Sequence, residues 1–131
     1  MHVKWVWGGL LFGLLIGGIM RLPGPEAVEP AFAINLCVMA AIWLGASFGS
    51  EHALSAMKVE TVVATLTFVV AAIAMRVNAH ILLIGFALQA VWCFRHASAG
   101  QSLKIKRWFP PFAAFANIGF VASYSLIVTF A

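Results

Sequence analysis

Five long apolar runs separated by short polar breaks constrain this 131-residue chain more than any motif it contains. About 20 apolar residues suffice for a helix to cross the hydrocarbon core of a bilayer. Inside that core, only structures that satisfy their own backbone hydrogen bonds persist. The chain is 63% hydrophobic and 9% charged, where a soluble domain is about half apolar and a quarter charged. A globule of this size still exposes roughly a third of its chain's surface and could not hide that excess. A soluble domain, a disordered chain and a secreted disulfide scaffold are therefore excluded. The expectation is a single all-α domain over residues 1–131, a bundle of five transmembrane helices, with four spans as the alternative count.

The breaks set the spans. The first covers about Lys4 to Met20 and has no small-x-small pattern at its end, so it is expected to remain as a helix rather than be cleaved as a leader. Three prolines and a glycine in Arg21 to Pro30 predict a break before a second span at about 31–49. Gly49 followed by Ser50 reads as a helix stop and then a cap. The third helix is expected from near Glu51, with its span at about 57–76, and the fourth span at about 80–96 after a turn at Val77, Asn78 and Ala79. Joined into one, the third and fourth would reach about 55–60 Å at ~1.5 Å per residue, too long for a ~30 Å core. The polar stretch Ala97 to Arg107 leads to the fifth span at about 108–131, with Pro110 and Pro111 in its first turn, where proline is tolerated.

The charges test this count. In a five-span chain, Lys4, Lys58, Arg95, Lys104, Lys106 and Arg107 fall on one side, and only Arg21 and Arg76 on the other, beside Glu26 and Glu29. Positive residues accumulate on the cytoplasmic side. The expectation is a bacterial-type inner (plasma) membrane, with the N-terminus cytoplasmic and the C-terminus outside. Trp5, Trp7 and Trp108 then stand at the cytoplasmic interface, and four spans would scatter the charges. The basic segment from Lys104 to Arg107 reads as a topology anchor and a contact for anionic lipid headgroups. No basic face interleaved with aromatics points to nucleic acid. Membrane lipids are thus the expected partners.

Gly9, Gly13 and Gly17 repeat at four-residue spacing, a flat face that lets another helix approach closely. Its partner is either a helix of the same chain or a second copy in a homo-oligomer. Cys37 and Cys93 lie inside apolar runs and read as buried free thiols.

Polar residues inside a membrane span are costly and tend to face the bundle interior. Of the four glutamates, only Glu60 falls within a span, on one helical face with Thr67. Gln89, Trp92, Cys93 and His96 follow i, i+3, i+4, i+7 and share a face, and Asn117 lies on a face with Tyr124. By depth, Glu60, Gln89, Trp92, His96 and Asn117 converge in the cytoplasmic half and form a candidate ligand-binding set. Each has a plainer reading. Glu60 snorkels beside Lys58, Gln89 and Asn117 bond between helices, and His96 is an interfacial charge. His52 and Glu51 read as an exposed helix start. No catalytic residue can be assigned, and no metal-ligand spacing or cofactor motif is present.

The stretch Gln89 to His96 resembles a family of small uncharacterised five-helix bacterial membrane proteins, a domain of unknown function. That family carries His-Thr-Gly-Trp-Asp-x-x-His-His on its fourth helix. Trp92 and His96 match, while Gln89, Cys93 and Ala97 stand where the family has His, Asp and the second His. The resemblance extends over the whole chain in layout and implies the architecture alone, since the family has no established activity to lend.

Three functions follow as expectations. The first is binding or transport of a small or lipid-like molecule in a polar pocket. The second is an intramembrane enzyme on a lipid or isoprenoid-like substrate, with Glu60 or His96 as acid or base. The third is an accessory subunit of a larger membrane complex.

Overall fold

The computed structural model describes residues 2–98 and 103–130. Among these the chain is all helical: α1 (Val3–Ile19), α2 (Pro25–Ser47), α3 (Ala53–Arg76), α4 (Ile81–Ser98) and α5 (Phe109–Phe130). Helices α2 to α5 are each long and apolar enough to cross a membrane, and α1 is a shorter apolar helix of 17 residues. At ~1.5 Å per residue, α1 is about 25 Å long, at the lower limit of a span. The third and fourth segments are two helices, parted by a turn in which the Asn78 side-chain oxygen accepts from the His80 amide at 2.9 Å. The five-helix expectation holds, and the chain is a multi-pass membrane protein.

Two expected boundaries move. Helix α2 begins at Pro25, six residues before the predicted Ala31. Pro25 sits at its first position, where its missing N–H is no loss, and Pro30 removes one helical bond without ending the helix. The break shrinks to residues 20–24, where Gly24 takes φ 131°, a conformation that side chains rarely adopt. At the other end of α2 the helix stops at Ser47. Phe48, Gly49 and Ser50 close it with amide bonds to Gly45, Ala46 and Ser47. Gly49 has no positive φ, and Ser50 donates its hydroxyl back to Ser47 O instead of capping α3. The predicted polar stretch from Ala97 starts inside α4, which runs to Ser98; residues 99–102 of it lie outside the described residues, as do Met1 and Ala131.

The bundle is held by a stripe of small residues and an adjoining cluster of aromatic rings. Gly9, Gly13 and Gly17 are the buried face of α1. A Cβ on Gly9 would strike the Phe112 carbonyl oxygen, one on Gly13 the Ala116 carbonyl oxygen, and one on Gly17 the Ser123 hydroxyl. Each reaches further along α5 as the number rises, so α1 and α5 lie parallel with their backbones almost in contact. The glycine face is thus filled by α5 of the same chain. A second copy could use it only by displacing α5. Gly119 completes the seam from the other side: a Cβ there would come within 2.6 Å of Leu10 O.

Next to the Gly17 end of this seam, Phe32 stands edge-on to Phe86, Phe120 and Tyr124, at centroid distances of 6.0, 6.4 and 5.2 Å. This cluster joins α2, α4 and α5. The outer surface remains apolar, with Leu15, Ile34, Val62, Leu66, Ile84 and Val91 all exposed. Such a surface suits lipid, not water. Six cations, Lys4, Lys58, Arg95, Lys104, Lys106 and Arg107, gather at the end of the bundle where α1 and α5 begin, and Trp5 and Trp108 stack there at 4.9 Å.

Candidate functional site

The buried positions of α3 are Glu60, Ala64, Thr67, Ala71 and Ala74, a stripe with alternating steps of four and three. Small alanines let α3 lie close to its neighbours, and the same stripe turns Glu60 inward. Its side chain is 3% exposed, while Lys58 points outward. Glu60 therefore does not snorkel. It meets the stripe of α4, which continues Leu82, Gly85, Phe86, Gln89, Ala90 and Cys93 to His96. The two helices are antiparallel. Glu60 stands level with His96, and seven residues further along each helix Thr67 stands level with Gln89.

Both Glu60 oxygens are engaged. Trp92 Nε1 donates to Oε2 at 3.0 Å, and His96 Nε2 lies 2.9 Å from Oε1. The imidazole donates to the carboxylate in the tautomer that carries its proton on Nε2. The imidazole also stacks on Trp43 of α2, at 4.4 Å between centroids and 12° between planes, and meets Trp92 edge-on at 5.2 Å. Glu60 fixes the ring from one edge and Trp43 from its face. Arg95 lies over the opposite aromatic, 4.6 Å from the Trp92 ring centre, in cation–π contact.

These groups wall a cleft of about 470 Å³ at the cation-rich end of α3 and α4. His52, Ser55, Glu60, Arg95 and His96 give it polar surface, and Val59 and Leu103 close it with apolar surface. Among the described residues, no carboxylate forms a salt bridge with Arg95. His52, exposed at the head of α3 as its sequence position implies, turns out to share this cleft with His96. Among the described residues, no three histidine, cysteine or acidic groups converge as a metal site would require.

The structure divides the predicted set of five. Glu60, Trp92 and His96 form one hydrogen-bonded unit. Gln89 lies deeper and belongs to another contact: its Nε2 donates to Thr67 Oγ1 at 2.7 Å. Asn117 is not in the cleft. Fully buried on α5, it donates to Ala113 O at 2.8 Å and lies 3.8 Å from Cys93 Sγ. Rotation about the helix axis, which decides its partners, did not follow from sequence. Cys37 and Cys93 are free thiols.

Trp43 is the residue that sequence reasoning missed. It is 1% exposed and belongs to the buried stripe Phe32, Leu36, Met39, Trp43 on α2. That periodicity marks it as core and carries no sign that its partner is an imidazole. Its Nε1 is buried without a hydrogen-bond partner.

No protein-family model, curated protein or solved structure matches the chain.

Proposed function

We propose that this chain binds a lipid-like molecule by a polar, anionic head in the cleft at Glu60, Trp92 and His96. One observation carries the reading. A glutamate in a membrane-spanning helix is buried, with both oxygens held by side chains of another helix, at the wall of a cleft of about 470 Å³. Burying a charge in a span is expensive, and such residues mark ligand or ion sites by default. With Glu60 engaged, the groups left to meet a ligand are Arg95, His52, Ser55 and the outer edge of His96. A guanidinium free of carboxylate partners favours a phosphate or carboxylate head. The apolar outer surface beside the cleft suits the tail.

The cleft opens where six of the eight cations gather, which supports a cytoplasmic setting for it and for the N-terminus, with the C-terminus outside, in a bacterial-type inner membrane. A cysteine placed at Lys106 would then be labelled by an impermeant maleimide only from the cytoplasmic side.

The test is retention of lipid. The protein is purified in mild detergent, and its bound lipids are identified by mass spectrometry. The expected result is one enriched anionic species in the wild type, lost in Arg95→Gln and Glu60→Gln while both variants stay helical and monodisperse. An unchanged lipid profile in both variants would overturn the reading. The Glu60–His96 contact also favours a second reading, intramembrane acid–base catalysis, because a carboxylate-oriented imidazole can accept and return a proton. That reading predicts a new product from a lipid extract, lost in Glu60→Gln. A partner protein that co-purifies with undiminished yield in both variants would point instead to an accessory subunit.

A further inference from the structure

Seven residues beyond the cleft, at ~1.5 Å each about 10 Å deeper along α4, a groove of about 240 Å³ runs between α3 and α4. Its walls are apolar, among them Leu66, Val70, Leu88 and Val91, with Leu66 and Leu88 also exposed on the outer surface of the bundle. Thr67 and Gln89 are its polar lining residues.

The hydrogen bonds here have a direction that can be deduced. Thr67 Oγ1 donates its one proton to Val63 O at 2.9 Å. Toward Gln89 it can only accept. The Gln89 amide must therefore turn its nitrogen to Thr67, at 2.7 Å, and this fixes which way the amide points. The consequence is that Gln89 Oε1 faces no donor. It is buried without a hydrogen-bond partner, on a side chain only 1% exposed. An unmet buried acceptor is unfavourable, and in a span no bulk water relieves it. Thr67 cannot be the group that answers it.

The geometry points to this groove as a binding site for a membrane-dissolved long-chain alcohol, whose hydroxyl donates to Gln89 Oε1 while its chain lies along Leu66, Val70 and Leu88. A neutral hydroxyl fits because no charged side chain lines the groove. A volume of about 240 Å³, some eight times the ~30 Å³ share of a liquid water, accepts a slim chain. Oε1 is covered in the structure, so the donor enters by displacing a side chain of the groove wall. The site touches the cleft only through Trp92 and requires no head in it.

A diazirine-bearing decyl alcohol crosslinked to the purified protein in micelles tests this, with decanol and decyl methyl ether as competitors. The two competitors share a chain, but only decanol donates. The expected result is label on α3 and α4 peptides around Thr67 and Gln89, displaced by decanol at roughly tenfold lower concentration than by the ether, equivalent to about 1.4 kcal/mol. In Gln89→Met, which keeps the length and removes the acceptor, the preference falls to parity. Equal competition by the two compounds in the wild type overturns the proposal without reliance on any variant, as does absence of label in the groove. A preference that survives Gln89→Met overturns it too, because the acceptor is then elsewhere.

Discussion

Replacing Gly13 by alanine adds one methyl group at the middle of the α1–α5 seam. That methyl would overlap the Ala116 carbonyl oxygen and lie 2.9 Å from Gly119 Cα. Both neighbours are backbone, so no side chain can rotate away. Restoring even the Gly119 approach to the 3.4 Å of ordinary contact moves α1 off α5 by at least half an ångström. A radial gap of about 0.5–1 Å forfeits a quarter to a half of each dispersion contact it opens. Gly9 and Gly17 lie one turn either side on the same seam, so the gap opens their contacts as well. Overpacking of this kind costs roughly 1–3 kcal/mol. The control is on the same helix: Gly18 has nothing within 4 Å of its would-be Cβ, so Gly18→Ala should be neutral or stabilising by up to about 1 kcal/mol through helix propensity. Unfolding in mixed micelles, followed by loss of helical circular dichroism as the SDS fraction rises, measures both. Equal effects of the two variants would refute the reasoning. So would a Gly13→Ala variant that shifts a dimer to a monomer in analytical ultracentrifugation and leaves subunit unfolding unchanged, because the stripe would then be a seam between copies.

Two further outcomes follow from the structure. Glu60 and His96 share a 2.9 Å contact in a buried setting, so a double-mutant cycle of Glu60→Gln and His96→Leu should give a coupling of about 1–2 kcal/mol in the same unfolding assay; additive effects would mean that the pair is not formed in the membrane. Gly24 has φ 131° and ψ 164°, essentially glycine territory, and a Cβ there would also meet the Glu26 carboxylate at 2.6 Å, so Gly24→Ala should destabilise by about 1–3 kcal/mol and Gly24→Ser similarly, read as a lower thermal midpoint in detergent.

What the sequence disclosed and what it withheld separate along one physical line. Translation along a helix is legible, because charge and hydropathy report depth. The five helices, the tight turn before His80 and the gathering of six cations at one end all follow from that single coordinate. Rotation is legible only where a stripe has chemistry of its own. Gly9, Gly13 and Gly17 declare a contact face by size, although their partner Gly119 stands alone in its helix and gives no such sign. Glu60 with Thr67, and Gln89 with His96, declare faces by polarity, and those faces do meet. Asn117 lies at a similar depth to Gln89 but is held by Ala113 of its own helix and by Cys93, outside the cleft, a placement that depends on how α5 packs against residues far away in the chain. Trp43 is hidden for the converse reason: an aromatic in an apolar stripe looks the same whether it packs on phenylalanine or on an imidazole. The polar groups nevertheless do not scatter through the interior at random. Glu60 and His96 form a satisfied pair beside a cleft, and Gln89 retains an unanswered acceptor beside a groove. Asn117 Oδ1 is buried without a partner too, away from both the cleft and the groove, so an unmet acceptor does not by itself mark a site. What sets Gln89 apart is that its helix-joining bond to Thr67 lies along a groove whose walls reach the outer surface of the bundle.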